Sequence, residues 1–145
     1  MKEVRRKRVR DEYIVRELDL QDVADLVDRC NQTYGPLIEW DDVRGCYGLK
    51  ADRSYKQGEL VTTYSGAKYS HEIYGDYVTK AASDIHIDGR VGFKLSEKGR
   101  WINESDRDRR IINVSLGRSI RATRDIEAGE WLFTDYGPDY IRNYK

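Results

Sequence analysis

Residues 124–140 read RDIEAGEWLFTDYGPDY. Ile126 to Ala128 lead into Gly129-Glu130, a pair that suits a tight turn because glycine accepts positive φ without a steric cost. Trp131-Leu132-Phe133-Thr134 then has the aromatic and branched composition of a strand. The same grammar occurs earlier. LKADRSYKQGELVTTYSG (49–66) aligns with IRATRDIEAGEWLFTDYG (120–137) at an offset of 71 residues. Ala51/Ala122, Arg53/Arg124, Gly58/Gly129, Glu59/Glu130 and Gly66/Gly137 are identical. Each copy reads strand, turn closed by Gly-Glu, strand. Two copies are too few for a solenoid, so they predict two similar clips inside one compact β fold.

Outward from these copies, strands are expected at Tyr47–Ala51, Glu59–Tyr64, Tyr77–Thr79, Ile85–Ile87, Ile111–Leu116, Ser119–Thr123 and Trp131–Thr134. Gly48, Gly58, Gly66, Gly89, Gly117, Gly129 and Gly137 punctuate them at positions where positive φ is expected. Residues 19–32, DLQDVADLVDRCNQ, predict one helix capped by Asp19. Its Val23, Leu26, Val27 and Cys30 form a docking stripe, and Tyr34-Gly35-Pro36 stops it. Many short strands beside one helix define an α+β, mainly β class.

The 145 residues suit a single domain. A charged fraction of 36% against 39% hydrophobic leaves a thin core, but 11 Tyr, 3 Trp and 2 Phe give it enough to bury. Formal net charge is zero, yet residues 1–10, MKEVRRKRVR, hold six Lys/Arg against one Glu. Such a run touches nucleic acid, serves as a nuclear address, or is a solvated end. Cys30 and Cys46 form no CxxC pair and stand beside only two histidines, so no zinc site is expected. Free thiols suggest an intracellular, reducing compartment. No apolar run reaches membrane-spanning length, and the N-terminal residues lack the apolar core of a secretory signal.

Familiar catalytic chemistries find little support. His86 and Asp88 are spaced as HxD on one face of a strand with Asp84, but an iron facial triad needs a second histidine. The remaining one, His71, precedes the pair, which reverses the usual order, so no metal is expected. Neither histidine has a visible nucleophile to serve. GxSxG, Walker A and GxGxxG after a strand are all missing. Asn103, in GRWINES (99–105), is either the end of a helix or a side chain held to meet a ligand.

Four segments stand in order: GCYGLKA (45–51), GELVTTYSG (58–66), RWINES (100–105) and RDIEAGEWLFTDYGPDY (124–140). Together they resemble the SET domain of protein lysine methyltransferases, over roughly Arg44 to Tyr140. RWINES is similar to that family's R-F-I-N-H-S-C, with Trp101 for Phe, and IHIDG to the strand that precedes it. The resemblance implies a SET (β-clip) fold of small sheets with a knot-like C-terminal crossing. The body would be residues 43–145, after a basic tail and helical flank at 1–42. It implies S-adenosyl-L-methionine as cofactor, bound by Cys46, Tyr47, Gly48, Asn103, Glu104 and Tyr136. Tyr136 falls on the catalytic tyrosine of DYG, and Tyr64 on the aromatic of the substrate-lysine channel. Tyr140 matches the aromatic that often follows DYG. Thr134, two before Tyr136, stands where the family often has Phe or Tyr. Glu104 replaces His, Cys46 replaces the first Gly of GxG, and Asn113 stands in for the Asn of the missing Pro-Asn.

These residue types suit methyl transfer, which needs a neutral amine, in-line alignment and a dry channel, and needs no metal or covalent intermediate. Burial beside a sulfonium lowers a lysine pKa, tyrosine rings attract cations, and a tyrosine hydroxyl can hold an amine. The implied partner is a protein substrate, by family prevalence a histone tail, at chromatin in the nucleus, with residues 2–10 available to nucleosomal DNA. A non-histone substrate, a catalytically silent SET-like module that binds chromatin or a protein, and a nucleic-acid-binding β-clip domain remain open at this point.

Overall fold

The computed structural model describes residues 11–14, 22–69, 78–82, 85–88, 92–105 and 108–135. Helix α1 (Val23–Asn31) is capped by Asp22, whose carboxylate accepts the Asp25 N–H at 3.0 Å. The cap is thus three residues later than the sequence suggests, and Asp19 lies outside the described residues. Asp22 wins because it stands one residue before the helix that buries Leu26, Val27 and Cys30.

The strands are β1 (Tyr13–Ile14), β2 (Leu37–Asp41), β3 (Cys46–Lys50), β4 (Leu60–Thr63), β5 (Ala67–Tyr69), β6 (Val78–Ala82), β7 (Ile85–Asp88), β8 (Phe93–Lys94), β9 (Asn103–Glu104), β10 (Ser119–Arg121) and β11 (Phe133–Thr134). They form small sheets: β1 with β8, β2 with β3, β4 with β10, β5-β7-β6, and β9 with β11. All pairings are antiparallel except β9–β11, which is parallel. Around them Leu26, Ile38, Leu49, Ile87, Phe93, Leu95, Ile120, Ile126 and Leu132 make one buried core.

The two expected clips exist and clasp each other. The Ala51 N–H donates to the Glu130 carbonyl and the Ala122 N–H to the Glu59 carbonyl. Gly129 donates to Ala51 and Gly58 to Ala122, both at 2.8 Å. Tyr55 and Ile126 exchange both main-chain hydrogen bonds. Gly58 and Gly129 have φ of 89° and 88°. Arg53 pairs with Glu59, and Arg124 with Glu130. Ala51/Ala122, Arg53/Arg124, Gly58/Gly129 and Glu59/Glu130 are therefore the identical pairs that make the turns and mutual contacts of the repeat.

Two expectations need correction. Ile111–Leu116 is not a strand: Arg109–Ile111 forms a 3-10 turn and Val114 makes only an isolated bridge to Ala122. The backbone between them is drawn to Phe133, whose carbonyl accepts from the N–H groups of Asn113 and Val114. Gly48 and Gly66 do not have positive φ, whereas Gly35, Gly45 and Gly92 do; Gly89 and Gly137 lie outside the described residues. β2 is a strand the sequence reading omitted. It has β3 on one side, and at Ile38 it meets the Asn31 side chain, whose amide bonds the main chain in both directions at 2.8 and 2.9 Å.

Candidate functional site

Asp41 begins the turn between β2 and β3. Its buried carboxylate accepts the N–H groups of Val43 and Arg44 and the Arg44 guanidinium, at 2.9, 3.2 and 3.0 Å. Burial disfavours its charge, but these hydrogen bonds outweigh that and hold the carboxyl below its ordinary pKa. Gly45, with φ of 68°, completes the turn by donating to the Asp41 carbonyl. Arg44 then lies over the Phe133 ring, 4.3 Å from its centre. The turn that presents Cys46, Tyr47 and Gly48 is therefore pinned both to its own hairpin and to β11.

Asn103 is not a helix cap. It starts β9, immediately after the 3-10 turn Gly99–Trp101 and Ile102. Its side-chain amide donates to the Tyr47 carbonyl at 3.1 Å and to the Cys46 sulfur at 3.5 Å. Gly48 makes this approach possible. A Cβ at that position would sit 2.9 Å from Asn103 Nδ2 and 3.1 Å from the Trp131 ring. Gly48 is thus required for close approach rather than for unusual φ. The Tyr47 ring stands edge-on between Trp40 and Trp101, with ring centres at 5.2 and 6.0 Å.

β11 joins this site to the C-terminal clip. Phe133 lies opposite Asn103, and Thr134 opposite Glu104. The Thr134 carbonyl accepts from Ser105 on one edge, while Phe133 is held by Asn113 on the other. Asn113 is buried and uses both ends of its amide, donating to the Trp131 carbonyl at 2.8 Å and accepting the Phe133 N–H at 2.8 Å. β11 is therefore threaded between residues 103–105 and 113–114, which is the expected crossing.

The structure thus gathers Cys46, Tyr47, Gly48 and Asn103 in direct contact, with Glu104 and Thr134 buried one position further on. The Thr134 hydroxyl has no hydrogen-bond partner among the described residues. Tyr64 is buried in the core and lies against Gly99, where a Cβ would meet its ring at 2.8 Å. It supports the start of the segment that ends in Asn103. Tyr136, Tyr140 and His71 lie outside the described residues. Sequence reading missed Trp131, which flanks Gly48, and the Asp41–Arg44 brace. Only the second had a signal, an aspartate opening a turn that closes on glycine.

No protein-family model matches the chain, and no curated protein does. Solved structures do resemble it. The structure of ctPRC2 in an autoinhibited conformation bound to S-adenosylmethionine is 23% identical, covers 74% of this chain and superposes with a TM-score of 0.56. The polycomb repressive complex 2 of Chaetomium thermophilum is 24% identical over 75% of this chain, with a TM-score of 0.54. This chain spans only 16% of each of those chains. ATXR5 in complex with a mono-methylated histone is 20% identical, covering 91% of this chain and 71% of its own, with a TM-score of 0.55. The chain has the SET-domain fold. Its mainly β architecture, with one helix among the described residues and a threaded C-terminal strand, is the one the sequence motifs implied.

Proposed function

We propose that this protein is an S-adenosyl-L-methionine-dependent protein-lysine N-methyltransferase with a histone substrate. One observation carries the reading: the Asn103 amide reaches across Gly48 to the Tyr47 carbonyl, at the crossing where β11 meets β9. This donor set fits the amino-acid end of the cofactor, which needs carbonyl acceptors for its ammonium and N–H donors for its carboxylate. Cys46, Tyr47, Gly48, Asn103 and Glu104 would hold it, with Tyr136 beyond. When bound, S-adenosyl-L-methionine supplies a sulfonium methyl group.

The chain's own residues account for the remaining needs. The target amine has to be neutral and aligned with the methyl group. Tyr64 and Tyr140 would wall an apolar channel that lowers the lysine pKa and excludes water. The Tyr136 hydroxyl would orient the amine, since alignment alone contributes up to about 7–11 kcal/mol of barrier lowering. Thr134 is smaller than the aromatic the family often has there, which leaves room for a methylated amine to turn and react again. Di- or trimethyl-lysine is the product this favours. The histone bound to ATXR5 supports the substrate class. Residues 43–145 would be the catalytic body and 1–42 its flank, with residues 2–10 available to nucleosomal DNA in the nucleus.

Incubation with labelled S-adenosyl-L-methionine and core histones, read by mass spectrometry, should reveal methylated lysine, and the same spectra report the number of methyls. Cofactor should also raise the melting temperature, by about 2.7 kcal/mol of stabilisation at a hundred times its Kd. Asn103→Ala should remove most of that rise. No transfer and no thermal shift at millimolar cofactor would favour the silent-module reading.

A further inference from the structure

Lys98 has no exposed surface, a rare state for lysine. Its ammonium donates to the main-chain carbonyls of Pro36 at 2.7 Å, Tyr34 at 3.3 Å and Thr33 at 3.5 Å. These carbonyls belong to the turn that follows α1, beyond its C-cap at Gln32. An ammonium has three N–H donors, so the cage matches it. The Lys98 backbone is also tied, its N–H donating to Thr62 Oγ1 at 3.1 Å.

The placement of this cage links it to the site. Lys98 opens the segment that ends in Asn103, and its carbonyl accepts the Trp101 N–H of the 3-10 turn. The caging turn leads directly into β2, which pairs with β3 from Leu37–Lys50 through Asp41–Cys46. Segments 33–48 and 98–103 are therefore cross-linked twice. Lys98 Nζ on the Pro36 carbonyl is one link, and Asn103 Nδ2 on the Tyr47 carbonyl, at 3.1 Å, is the other.

We propose that Lys98 is a positioning residue for the methyl-donor site: its caged ammonium sets the spacing between the Asn103 segment and the Tyr47–Gly48 strand. This rests on the cofactor reading above and adds a residue that none of the SET-like motifs supplies a role for. If Lys98 served packing alone, its aliphatic stem would matter and its charge would not. Lys98→Met separates the two, because it keeps the stem and removes the donors.

The test is calorimetric binding of S-adenosyl-L-methionine to the full chain. Lys98→Met should bind about tenfold or more weakly, which corresponds to about 1.4 kcal/mol of lost cofactor contact. Lys98→Ala should regain affinity when propylammonium is added, and not when tetramethylammonium, which has no N–H, is added at equal ionic strength. Should these variants fail to fold, nitrogen-15 NMR of the unmutated protein gives the answer, since a caged ammonium exchanges slowly enough to be seen. Its signal should shift on cofactor titration with the midpoint of binding. An unmoved signal, or Lys98→Met binding as well as the unmutated protein, overturns the proposal and leaves the site reading intact. Failure of the unmutated protein to bind removes both.

Discussion

The two clips, 49–66 and 120–137, are close copies in local geometry and opposites in destination. Both close through glycines of nearly equal φ, both hold a Glu by an Arg six residues before it, and each bonds the other's backbone. The first then runs into β4, an ordinary antiparallel neighbour of β10, and ends in buried Tyr64. The second runs into β11, which pairs in parallel with β9 and carries Phe133 and Thr134 to Asn103 and Glu104. Local sequence sets the turn; the partners waiting beyond it set what the strand does. On this comparison the first clip carries Tyr64 into the core, and the second carries the strand that meets Asn103 and Glu104.

The largest expected break comes at Asn113, which serves only the second clip. Asn113→Ala leaves the Trp131 carbonyl and the Phe133 N–H without their partner in a buried place. At about 1–3 kcal/mol for each unsatisfied group, a loss of about 2–6 kcal/mol should appear in chemical denaturation. A loss below about 1 kcal/mol would mean that water replaces the amide and that β11 is not gripped as described.

Helix α1 belongs to neither clip and gives a control that depends on pH. Burial pushes the Cys30 thiol from 9.0 up to about 11, against the lowering effect of nearby Lys98. The unfolded chain loses this proton at the lower pH and the folded chain at the higher. Stability is therefore fully present below pH 9 and falls as pH rises towards about 11. The loss is on the order of 2–3 kcal/mol, from roughly 1.4 kcal/mol per pH unit. Denaturation curves at stepped pH should show it, and Cys30→Ala should flatten that dependence. An equal slope in the variant would assign the effect to other groups.

Gly58→Ala and Gly129→Ala sharpen the comparison directly. Both put a side chain at positive φ, so each should cost about 1–2 kcal/mol, and the two costs should agree closely. Gly129→Ala should reduce the proposed methyl transfer more than Gly58→Ala does, at a temperature where both variants are folded. Equal activity losses would erase the distinction between the two clips. The smallest effect belongs to the matched ion pairs. Arg53→Ala and Arg124→Ala remove solvent-facing partners at 3.1 and 3.3 Å, and each should lower stability by less than about 1 kcal/mol. A larger loss from either would show that the salt bridges, rather than the backbone bonds, hold the clips together.

Much of this was legible because the clips are local. Gly-Glu after a short run, followed by alternating residues, specifies turn and strand without reference to the rest of the chain. β1, β8 and β9 were not legible because each has only two residues, and pairing with a distant segment decides them. The run at 111–116 has strand composition, yet Asn113 commits its backbone and side chain to Phe133 and Trp131. In the site, Asn103 and Gly48 could be read from motif order. Trp131 and Lys98 could not, since a tryptophan against a glycine and a lysine in a cage of carbonyls look in sequence like any core aromatic and any surface cation.

The threading of β11 also dictates a schedule. During synthesis both arms that flank this strand leave the ribosome before it does, as do the first clip, the β2–β3 hairpin and the Asn103 segment. All of these can be in place while the Thr134 carbonyl that meets Ser105, and the Phe133 groups that meet Asn113, do not yet exist. Until Phe133 and Thr134 emerge, the strand that pairs with β9 and is gripped by Asn113 is missing. A translation product that stops short of Phe133 lacks the piece that turns its walls into a site.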